Sequence, residues 1–455
     1  MNKYLFFLGI AGIALFSACS TSDDLATEPP RVTPSVEESK EAALILEAGQ
    51  DSEIPITVGV RDRRGMTRSV LNPKDEAGNF ETENGKYLGV FCLAMGTHSG
   101  VSNIPATISA NNWNTAPADD QAGLIVRMKN IPAKVTTDLT TSDVKFWDIT
   151  NDRALHYYYP MGNWMWYNFY AYYPRQGDET LSFTPNQALQ TNYVIDGSQD
   201  IIWGMANPED PMYSDATTDA KPYCAKYFRL KKEAVGEANI GPYLPKFVFE
   251  HKLIQFRFFV KAANATVLTD LTGKHMQVTD MYINNAYYKL RLIVANKANP
   301  EYNGDLSKYD NSTKELKIKK YNSDLDRFNQ DGDANLDNPL DITNDNVDVT
   351  TVDGDGNPTD PGFVGYIILP DPTISKVDGF KYTLMVKVKF TTDYGTPEAA
   401  EHENTLSLEL DPPTGGFLKG KIYNILVNVQ SPVEIHARAL LNRWVIAPET
   451  IEYGN

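Results

Sequence analysis

Residues 247–260 read FVFEHKLIQFRFFV, and this apolar run decides the fold class. It predicts a buried strand or a pair of strands, because short runs dense in aromatic and β-branched residues favour strands. Similar runs bounded by turn residues recur along the chain, whereas long segments with helical periodicity are scarce. They lie at residues 54–60, 87–95, 124–128, 144–147, 363–370, 380–391, 405–410 and 421–429. The sequence therefore predicts an all-β protein of β-sandwich architecture with long loops and few short helices.

Two further segments predict a more specific strand geometry. Residues 278–293 read VTDMYINNAYYKLRLI, in which Asn284 and Asn285 predict the turn of a hairpin between two apolar arms. Residues 167–173 are the centre of the densest aromatic stretch. Because side chains alternate along a strand, this segment predicts one face made of Tyr167, Phe169, Ala171 and Tyr173.

The length and charge of the chain limit its organisation and its partners. The chain has 455 residues and a formal net charge of −17. A single core seldom grows beyond about 250–300 residues, so we expect two domains, residues 51–288 and residues 289–455. The negative charge argues against a nucleic-acid partner, because phosphates would be repelled, and it suits a solvated, exported surface.

The N-terminal residues resemble a bacterial lipoprotein signal. Residues 4–16 are uncharged and, as a helix, would rise about 20 Å, which is too short to span a bilayer. We therefore interpret residues 1–18 as a signal peptide and Cys19, which follows small residues, as the lipidated N-terminus of the mature chain. Residues 19–50 would be a polar tether. The alternative is an ordinary secretory signal with an incidental cysteine.

The remaining cysteines and the histidines do not indicate a catalytic centre. Cys92 and Cys224 are too few for a disulfide framework, and we expect buried free thiols, with a disulfide as the alternative. The six histidines are scattered, and HExxH, CxxC, GxSxG and Walker-type motifs are absent. His251 lies within an apolar run, and we expect it to be hydrogen-bonded inside the sandwich. We predict a non-enzymatic protein without a cofactor; a hydrolase with carboxylates that meet only in space is the enzymatic alternative.

The acidic segment 323–362 fails the test for a calcium-binding EF-hand loop. With Gly332 at the sixth loop position, Arg327 falls at the first, and with Gly356 there, Thr351 does. Neither side chain is a suitable first ligand, so we assign no metal site. A solvated insertion is the main interpretation of the segment, and a looser calcium site is its alternative.

The aromatic residues before and within the dense stretch allow two interpretations. Such a stripe is most often core with its hydroxyl groups facing outward. The alternative is a platform on which a glycan stacks, in a monomeric surface lipoprotein. The stacking candidates would be Tyr157, Tyr158, Trp164 and Trp166.

Several segments, taken in order, resemble the fimbrillin family of Bacteroidetes lipoproteins, the subunits of surface fimbriae. They are the LFSAC lipoprotein motif (15–19), MTR (66–68) before GVF (89–91), YNFYAYYP (167–174), FEHKL (249–253), IILP (367–370), LKGKIYNILVNV (418–429) and NRWV (442–445). The resemblance covers most of the mature chain. It implies two tandem transthyretin-like β-sandwich domains and a location on the outer membrane, in a fimbrium.

The resemblance also implies how such subunits assemble. A protease removes an N-terminal strand, and another subunit inserts a donor strand into the exposed groove. Here residues 54–60 would be the released strand, and Arg61, Arg63, Arg64 and Arg68 would be the cleavage candidates. The donor candidates are Val445, Ile446, Ala447 and Ile451, although Pro448 among them cannot donate to a ladder. Expected partners are other subunits, the outer membrane through Cys19, and a host or bacterial surface receptor as a further candidate. Alternatively, residues 54–60 stay as the first strand and the arginines form a surface loop.

Overall fold

A computed structural model describes most of the chain, and it is almost entirely β-structure. The described residues are 54–60, 87–97, 126–137, 142–159, 165–183, 188–217, 220–322, 327–328, 340–341 and 363–442. Among them only two segments are α-helical, α1 (Ala225–Val235) and α2 (Ala265–Gly273). No helix of this part of the chain has the length and apolar character needed to cross a bilayer. The predicted all-β fold is confirmed.

Twenty-five strands follow one another along the described residues. The first thirteen are β1 (Ile54–Pro55), β2 (Val58–Val60), β3 (Leu88–Thr97), β4 (Val126–Thr137), β5 (Ser142–Asp148), β6 (Arg153–Leu155), β7 (Tyr158–Tyr159), β8 (Met165–Tyr173), β9 (Leu181–Phe183), β10 (Ala188–Val194), β11 (Ile202–Ala206), β12 (Lys246–His251) and β13 (Ile254–Ala262). The others are β14 (Gln277–Tyr287), β15 (Lys289–Asn296), β16 (Leu306–Lys308), β17 (Thr313–Lys317), β18 (Lys319–Asn322), β19 (Arg327–Phe328), β20 (Leu340–Asp341), β21 (Phe363–Leu369), β22 (Thr383–Thr392), β23 (Ala400–Glu409), β24 (Ile422–Ser431) and β25 (Glu434–Asn442).

The N-terminal strands form a sheet that closes on itself. Its order is β2-β12-β11-β8-β3-β4-β5-β6, and β2 also pairs with β5. Seven strands, from β2 through β12 and round to β5, therefore make a closed ring, which we call the N-terminal ring. The alternation predicted for β8 is confirmed, because its inward side chains all join the core of the ring. These are Tyr167, Phe169, Ala171 and Tyr173.

The C-terminal strands form a sandwich of two facing sheets. One has the order β19-β18-β21-β13-β24-β25, and the other has the order β17-β14-β22-β23, with β20 added to β14. Alternate side chains of both sheets fill one apolar core between them, as the pleat of each strand requires. Its central members include Phe256, Phe258, Val278, Val386, Ile425 and Val427. We call this unit the C-terminal sandwich.

A third apolar layer connects the N-terminal ring with the C-terminal sandwich. The small sheet β16-β15-β10-β9 packs there, together with outward side chains of β3 and β8. Trp203 of β11 is buried in this layer, and its indole nitrogen donates to the Val294 carbonyl oxygen at 2.8 Å. A buried hydrogen bond of this kind fixes the orientation of a large side chain that apolar packing alone would leave adjustable.

The stretch at residues 247–260 proves to be two strands in two different sheets. β12 belongs to the N-terminal ring, and β13 belongs to the C-terminal sandwich. Only Lys252 and Leu253 separate them, and both are buried. Burial lowers the pKa of Lys252, and the Glu250 carboxylate, 2.9 Å from its ammonium group, opposes this shift. The chain thus passes between the two units without a flexible linker.

The hairpin predicted at residues 278–293 is wrong. Asn284 and Asn285 lie inside β14, at a bulge opposite β17, rather than in a turn. The Asn285 side chain donates to the Lys381 carbonyl oxygen and accepts from the Thr383 amide, both at 2.8 Å. These bonds to Lys381 and to Thr383, the first residue of β22, hold the Asn285 side chain at the bulge within an extended strand. β14 and β15 then pair with different sheets, and the domain boundary at residue 288 stays a prediction.

The predictions for the cysteines and for His251 are confirmed. Cys92 and Cys224 are both free and buried. His251 is buried in β12, and its Nδ1 atom is hydrogen-bonded to the buried carboxylate of Asp200. Asp200 also accepts from the Ile201 amide at 2.8 Å, so this polar pair is held at the inner edge of the ring.

We predict that the Asp200–His251 pair is needed for stability. Asp200→Ala and His251→Leu each leave one buried polar group without its partner, and each should lower the free energy of unfolding by about 3–5 kcal/mol. The double variant Asp200→Ala/His251→Leu should lower the free energy of unfolding by less than the sum of the two single losses. Urea denaturation measures these changes. The control is His436→Ala, because His436 pairs with Glu434 on the surface and its side chain is 62% exposed. A loss as small as that of the control would contradict the prediction.

Candidate functional site

The first described segment, residues 54–60, begins by pairing with β7. β1 and β7 are antiparallel, with Pro55 opposite Tyr158. The Ile56 amide then donates to the Tyr157 carbonyl oxygen at 2.8 Å. Pro55 has no amide hydrogen, and it is accommodated because β1 has a single neighbour among the described strands.

The same segment then enters the N-terminal ring between two strands. In β2, Val58 lies opposite Val144 of β5 in an antiparallel pair, and Gly59 lies opposite Lys246 of β12 in a parallel pair. The Gly59 amide donates to the Pro245 carbonyl oxygen at 3.0 Å. β2 therefore occupies a seam, which we define as the space between β5 and β12. Without it, both strands would present unpaired backbone groups along one edge.

The side chains of the segment alternate between the core and the surface. Ile56 and Val58 are buried within the core of the ring, whereas Thr57 between them is exposed. Ile54 and Val60 are half-buried and pack against the same core. Burial of the two interior side chains stabilises the docked segment by about 3–6 kcal/mol, before the loss of chain entropy is subtracted.

A helical insertion supplies aromatic side chains to the core of the N-terminal ring. Residues 207–245 connect β11 to β12 and contain α1. The ring of Phe228 in α1 lies 5.2 Å from that of Tyr159, and the ring of Tyr223 lies 5.7 Å from that of Phe169, between centroids. Aromatic contacts of this length add to the burial energy of the core. The insertion is therefore part of the same core that the leading segment completes.

Polar contacts within the insertion fix the chain next to β2. Lys231 of α1 forms an ion pair with Asp215, and its ammonium group lies 4.5 Å from the centre of the Tyr243 ring. The Tyr213 hydroxyl donates to the Leu244 carbonyl oxygen at 3.2 Å. Leu244 immediately precedes the proline whose carbonyl pairs with β2. These contacts hold that carbonyl where the ladder needs it.

The interior beside the segment is buried and apolar. Burial raises the pKa of the Tyr159 phenol and of the Cys224 thiol, so both stay protonated at neutral pH. The Tyr159 hydroxyl is buried, and no hydrogen-bond partner for it occurs in the described part of the chain. Nor do the described residues contain a group of three or more side chains able to hold a metal ion. The seam is suited to binding an apolar strand.

Several predicted site residues lie outside the described residues. The cleavage candidates Arg61, Arg63, Arg64 and Arg68 follow β2 directly, since β2 ends at Val60. The other predicted residues outside are Cys19, Trp164, Val445, Ile446, Ala447 and Ile451. Of the acidic segment 323–362, only β19 and β20 are described. The roles of these residues stay predictions.

The glycan-stacking candidates that are described lie at the N-terminal ring. Tyr157 is half-buried, and its ring packs edge-on against Phe146 at 5.5 Å between centroids. Tyr158 is half-buried within β7. Trp166 is half-buried against the core of the ring. Tyr157 and Tyr158 lie beside the leading segment, and the proposed role of all three in stacking sugars stays a prediction.

The sequence analysis did not anticipate the helical insertion. Its signal is nonetheless present, because residues 225–235 read AKYFRLKKEAV, in which apolar residues recur at a spacing near that of a helical turn. Cys224 caps the helix, and Gly236 follows its last residue. What the sequence cannot show is that this helix packs beside β1 and Tyr159, since that contact joins residues far apart in the chain.

Comparisons with known proteins give similar solved structures only. No family model matches the chain, and no curated protein matches it. A "putative cell adhesion protein" from Bacteroides uniformis is 12% identical, with 87% of this chain and 100% of that chain covered and a TM-score of 0.40. A fimbrial protein from Bacteroides ovatus is 9% identical, with 83% and 49% covered and a TM-score of 0.27. The fimbrial anchor protein Mfa2 from Porphyromonas gingivalis is 11% identical, with 85% and 99% covered and a TM-score of 0.24.

The names of these structures agree with the family resemblance of the sequence. They are cell adhesion and fimbrial proteins of Bacteroides and Porphyromonas. Because every TM-score is below 0.5, these similarities carry no argument for a shared function.

We predict that the buried side chains of the leading segment stabilise the N-terminal ring. Ile56→Ala removes apolar contacts from a packed core and should lower the free energy of unfolding by about 2–5 kcal/mol. Thr57→Ala is the matched control, because the Thr57 side chain, next to Ile56 in the chain, is exposed. This variant should change the free energy of unfolding by less than about 0.5 kcal/mol. Urea denaturation measures both, and hydrogen exchange of β5 and β12 amides locates the effect. Equal losses in the two variants would show that the segment is not docked.

Proposed function

We propose that the protein is a non-enzymatic subunit of cell-surface fimbriae, exported as a lipoprotein and assembled by strand exchange at the seam. The observation that carries this proposal is the position of β2. It lies between β5 and β12, and the side chain of its residue Val58 is buried. The family resemblance of the sequence supports it. In this proposal Cys19 carries the acyl chains that anchor the subunit in the outer membrane, and residues 19–50 are its tether.

Removal of the leading segment would convert a sealed subunit into one that binds strands. β5 and β12 would each expose a row of backbone donors and acceptors, and the apolar space left by Ile56 and Val58 would open to water. An added strand would pair with the exposed backbone groups and fill the apolar space. Its ladder hydrogen bonds would give affinity, and its alternate side chains would occupy the vacated space. Before cleavage the seam is occupied, so the subunit stays monomeric.

The occupant of the opened seam would be a segment of another subunit. Its apolar residues must recur at every second position, as those at 54, 56, 58 and 60 do. Within this chain the candidates are Val445, Ile446, Ala447 and Ile451, which follow shortly after β25 ends at Asn442. Pro448 interrupts the alternation, so only part of this tail would pair as a regular strand.

The cleavage candidates are well placed for this switch. Arg61 is the first residue after β2, so a cut there or at Arg63, Arg64 or Arg68 would separate the docked segment from the chain that leads to β3. The segment would then be held only by its short ladders and its four apolar side chains. Loss of the covalent connection makes its replacement a bimolecular exchange rather than a rearrangement within one chain.

We predict that cleavage within residues 61–68 permits assembly. An arginine-specific protease should cut the purified chain there, and a peptide of residues 443–455 should then displace the leading segment. Fluorescence anisotropy of the labelled peptide measures binding, and size-exclusion chromatography with light scattering measures oligomers. The control replaces all four arginines of the segment with lysine and should stay uncut within residues 61–68 and monomeric.

Two results would contradict the proposal. One is complete cleavage, with release of the leading segment, that yields neither oligomers nor peptide binding. The other is exposure of the segment in the uncut chain, seen as rapid hydrogen exchange at the Ile56 and Gly59 amides. The first result would show that the opened seam accepts no donor strand, whereas a cut chain that keeps residues 54–60 in place would favour the alternative that they are a permanent first strand. A glycan array would then test the stacking candidates Tyr157, Tyr158, Trp164 and Trp166 directly.

A further inference from the structure

One end of the C-terminal sandwich lies far from the N-terminal ring. β13 leaves the junction at Ile254, and its nine residues carry the chain about 30 Å away. There α2 connects β13 to β14, and the connection between β22 and β23 turns back at the same end. The Thr391 amide donates to the Lys274 carbonyl oxygen at 2.7 Å, which joins the two turns. We call this end of the sandwich the distal tip.

An exposed tyrosine is held rigidly at the distal tip. The Tyr394 side chain is 56% exposed, yet its ring stacks on that of His275 with centroids 3.5 Å apart and planes tilted by 32°. One ring face is therefore covered by the imidazole while the tyrosine remains largely open to solvent. A ring fixed in this way loses little rotamer freedom when a ligand packs on it.

The backbone around this tyrosine adopts an uncommon conformation. His275 has a φ of +46° and Asp393 a φ of +50°, and Gly395 has a φ of +85°. Left-handed conformations of residues other than glycine are costly and occur preferentially where function requires a particular geometry. His275 and Asp393 have such conformations, and they lie where the rings of Tyr394 and His275 meet at the distal tip.

A second stacked pair continues the aromatic surface along the sandwich. Phe390 of β22 lies opposite His402 of β23, and their rings stack with centroids 5.3 Å apart and planes 26° apart. The Thr392 hydroxyl is 3.1 Å from the Nε2 atom of His402. The tip therefore offers ring faces and hydroxyl or imidazole groups side by side.

The charge at the distal tip is negative. Lys274 is paired with Asp270 at 2.6 Å, and Lys389 with Glu401 at 2.8 Å. The exposed side chains of Asp393 and Glu403 have no ion pair within the described residues. Their carboxylates can accept hydrogen bonds from hydroxyl groups, and they repel anionic ligands.

We propose that the distal tip binds an uncharged pyranose sugar. The apolar C–H face of the ring packs on the open face of Tyr394, and sugar hydroxyl groups donate to the adjacent Asp393 carboxylate. A pyranose matches this combination because it has one apolar face and a rim of hydroxyl donors. Sialylated or sulfated sugars are excluded by the uncompensated carboxylates. The site is separate from the seam, so its occupation does not depend on strand exchange.

Ligand-observed NMR on the full chain tests this proposal. The probes are methyl β-galactopyranoside, methyl α-mannopyranoside, N-acetylglucosamine and lactose, with sialyllactose as the anionic comparison. Saturation transfer should reach the C–H protons of one sugar face for at least one neutral probe. Titration should show sialyllactose binding about tenfold more weakly than lactose, or not at all.

Variants of exposed tyrosines provide the decisive comparison. Tyr394→Ala removes the ring and should weaken binding by about tenfold or more, whereas Tyr394→Phe keeps the ring and should bind within about threefold of the unaltered chain. The matched control is Tyr302→Ala, because Tyr302 is 48% exposed but lies in a turn after β15. It should bind as the unaltered chain does. Thermal unfolding confirms that each variant is folded.

Three results would overturn the proposal. The first is that none of the neutral probes binds to the unaltered chain at millimolar concentration. The second is that Tyr394→Ala and Tyr302→Ala bind a probe equally well. The third is that sialyllactose binds more tightly than lactose.

Discussion

The structure depends on one constraint, which is that the N-terminal sheet must have no open edge at its seam. β5 and β12 are brought side by side by the rest of the ring, but they do not pair with each other. β2 fills the space between them with an antiparallel ladder on one side and a parallel ladder on the other. A sheet left open here would expose two neighbouring rows of unpaired backbone groups above an apolar core, and such edges promote association between chains. The segment that prevents this is three residues long in its central part.

In the proposed assembly, that shortness would let one segment seal the ring and still be exchanged. The strands β3, β4, β8 and β11 form long ladders with one another, and none of these ladders includes β2. The insertion with α1 supplies further core contacts independently of the leading segment, through Tyr223 and Phe228. Loss of β2 would therefore remove about two buried aliphatic side chains and a few hydrogen bonds, while the remaining core stays packed. The docking free energy of β2 would be large enough to keep the segment in the seam and small enough for a similar strand to replace it.

The sequence predicts local features well and long-range pairings poorly. The alternation of Tyr167, Phe169 and Tyr173 follows from strand geometry, and the structure confirms it. The turn predicted at Asn284 and Asn285 does not form, because Asn285 is hydrogen-bonded within the strand to Lys381 and Thr383, about a hundred residues away. The seam combines both cases. Its alternating apolar segment is visible in the sequence, whereas the two strands that border it are set by contacts that no local pattern encodes.

Residues 247–260, the apolar run that decides the fold class, also link the seam to the rest of the molecule. β12 borders the seam, and after two buried residues the chain continues as β13 in the core of the C-terminal sandwich. The Lys252 amide donates to the Ile201 carbonyl oxygen at 2.8 Å, and the Leu253 carbonyl oxygen accepts from the Gly420 amide at 2.7 Å. The hydrogen bond of Trp203 in the third layer reinforces this junction. Because these contacts do not involve residues 54–60, departure of the leading segment would open the seam without loosening the connection between the two units, and a strand donated by another subunit would dock onto a frame that is already in place.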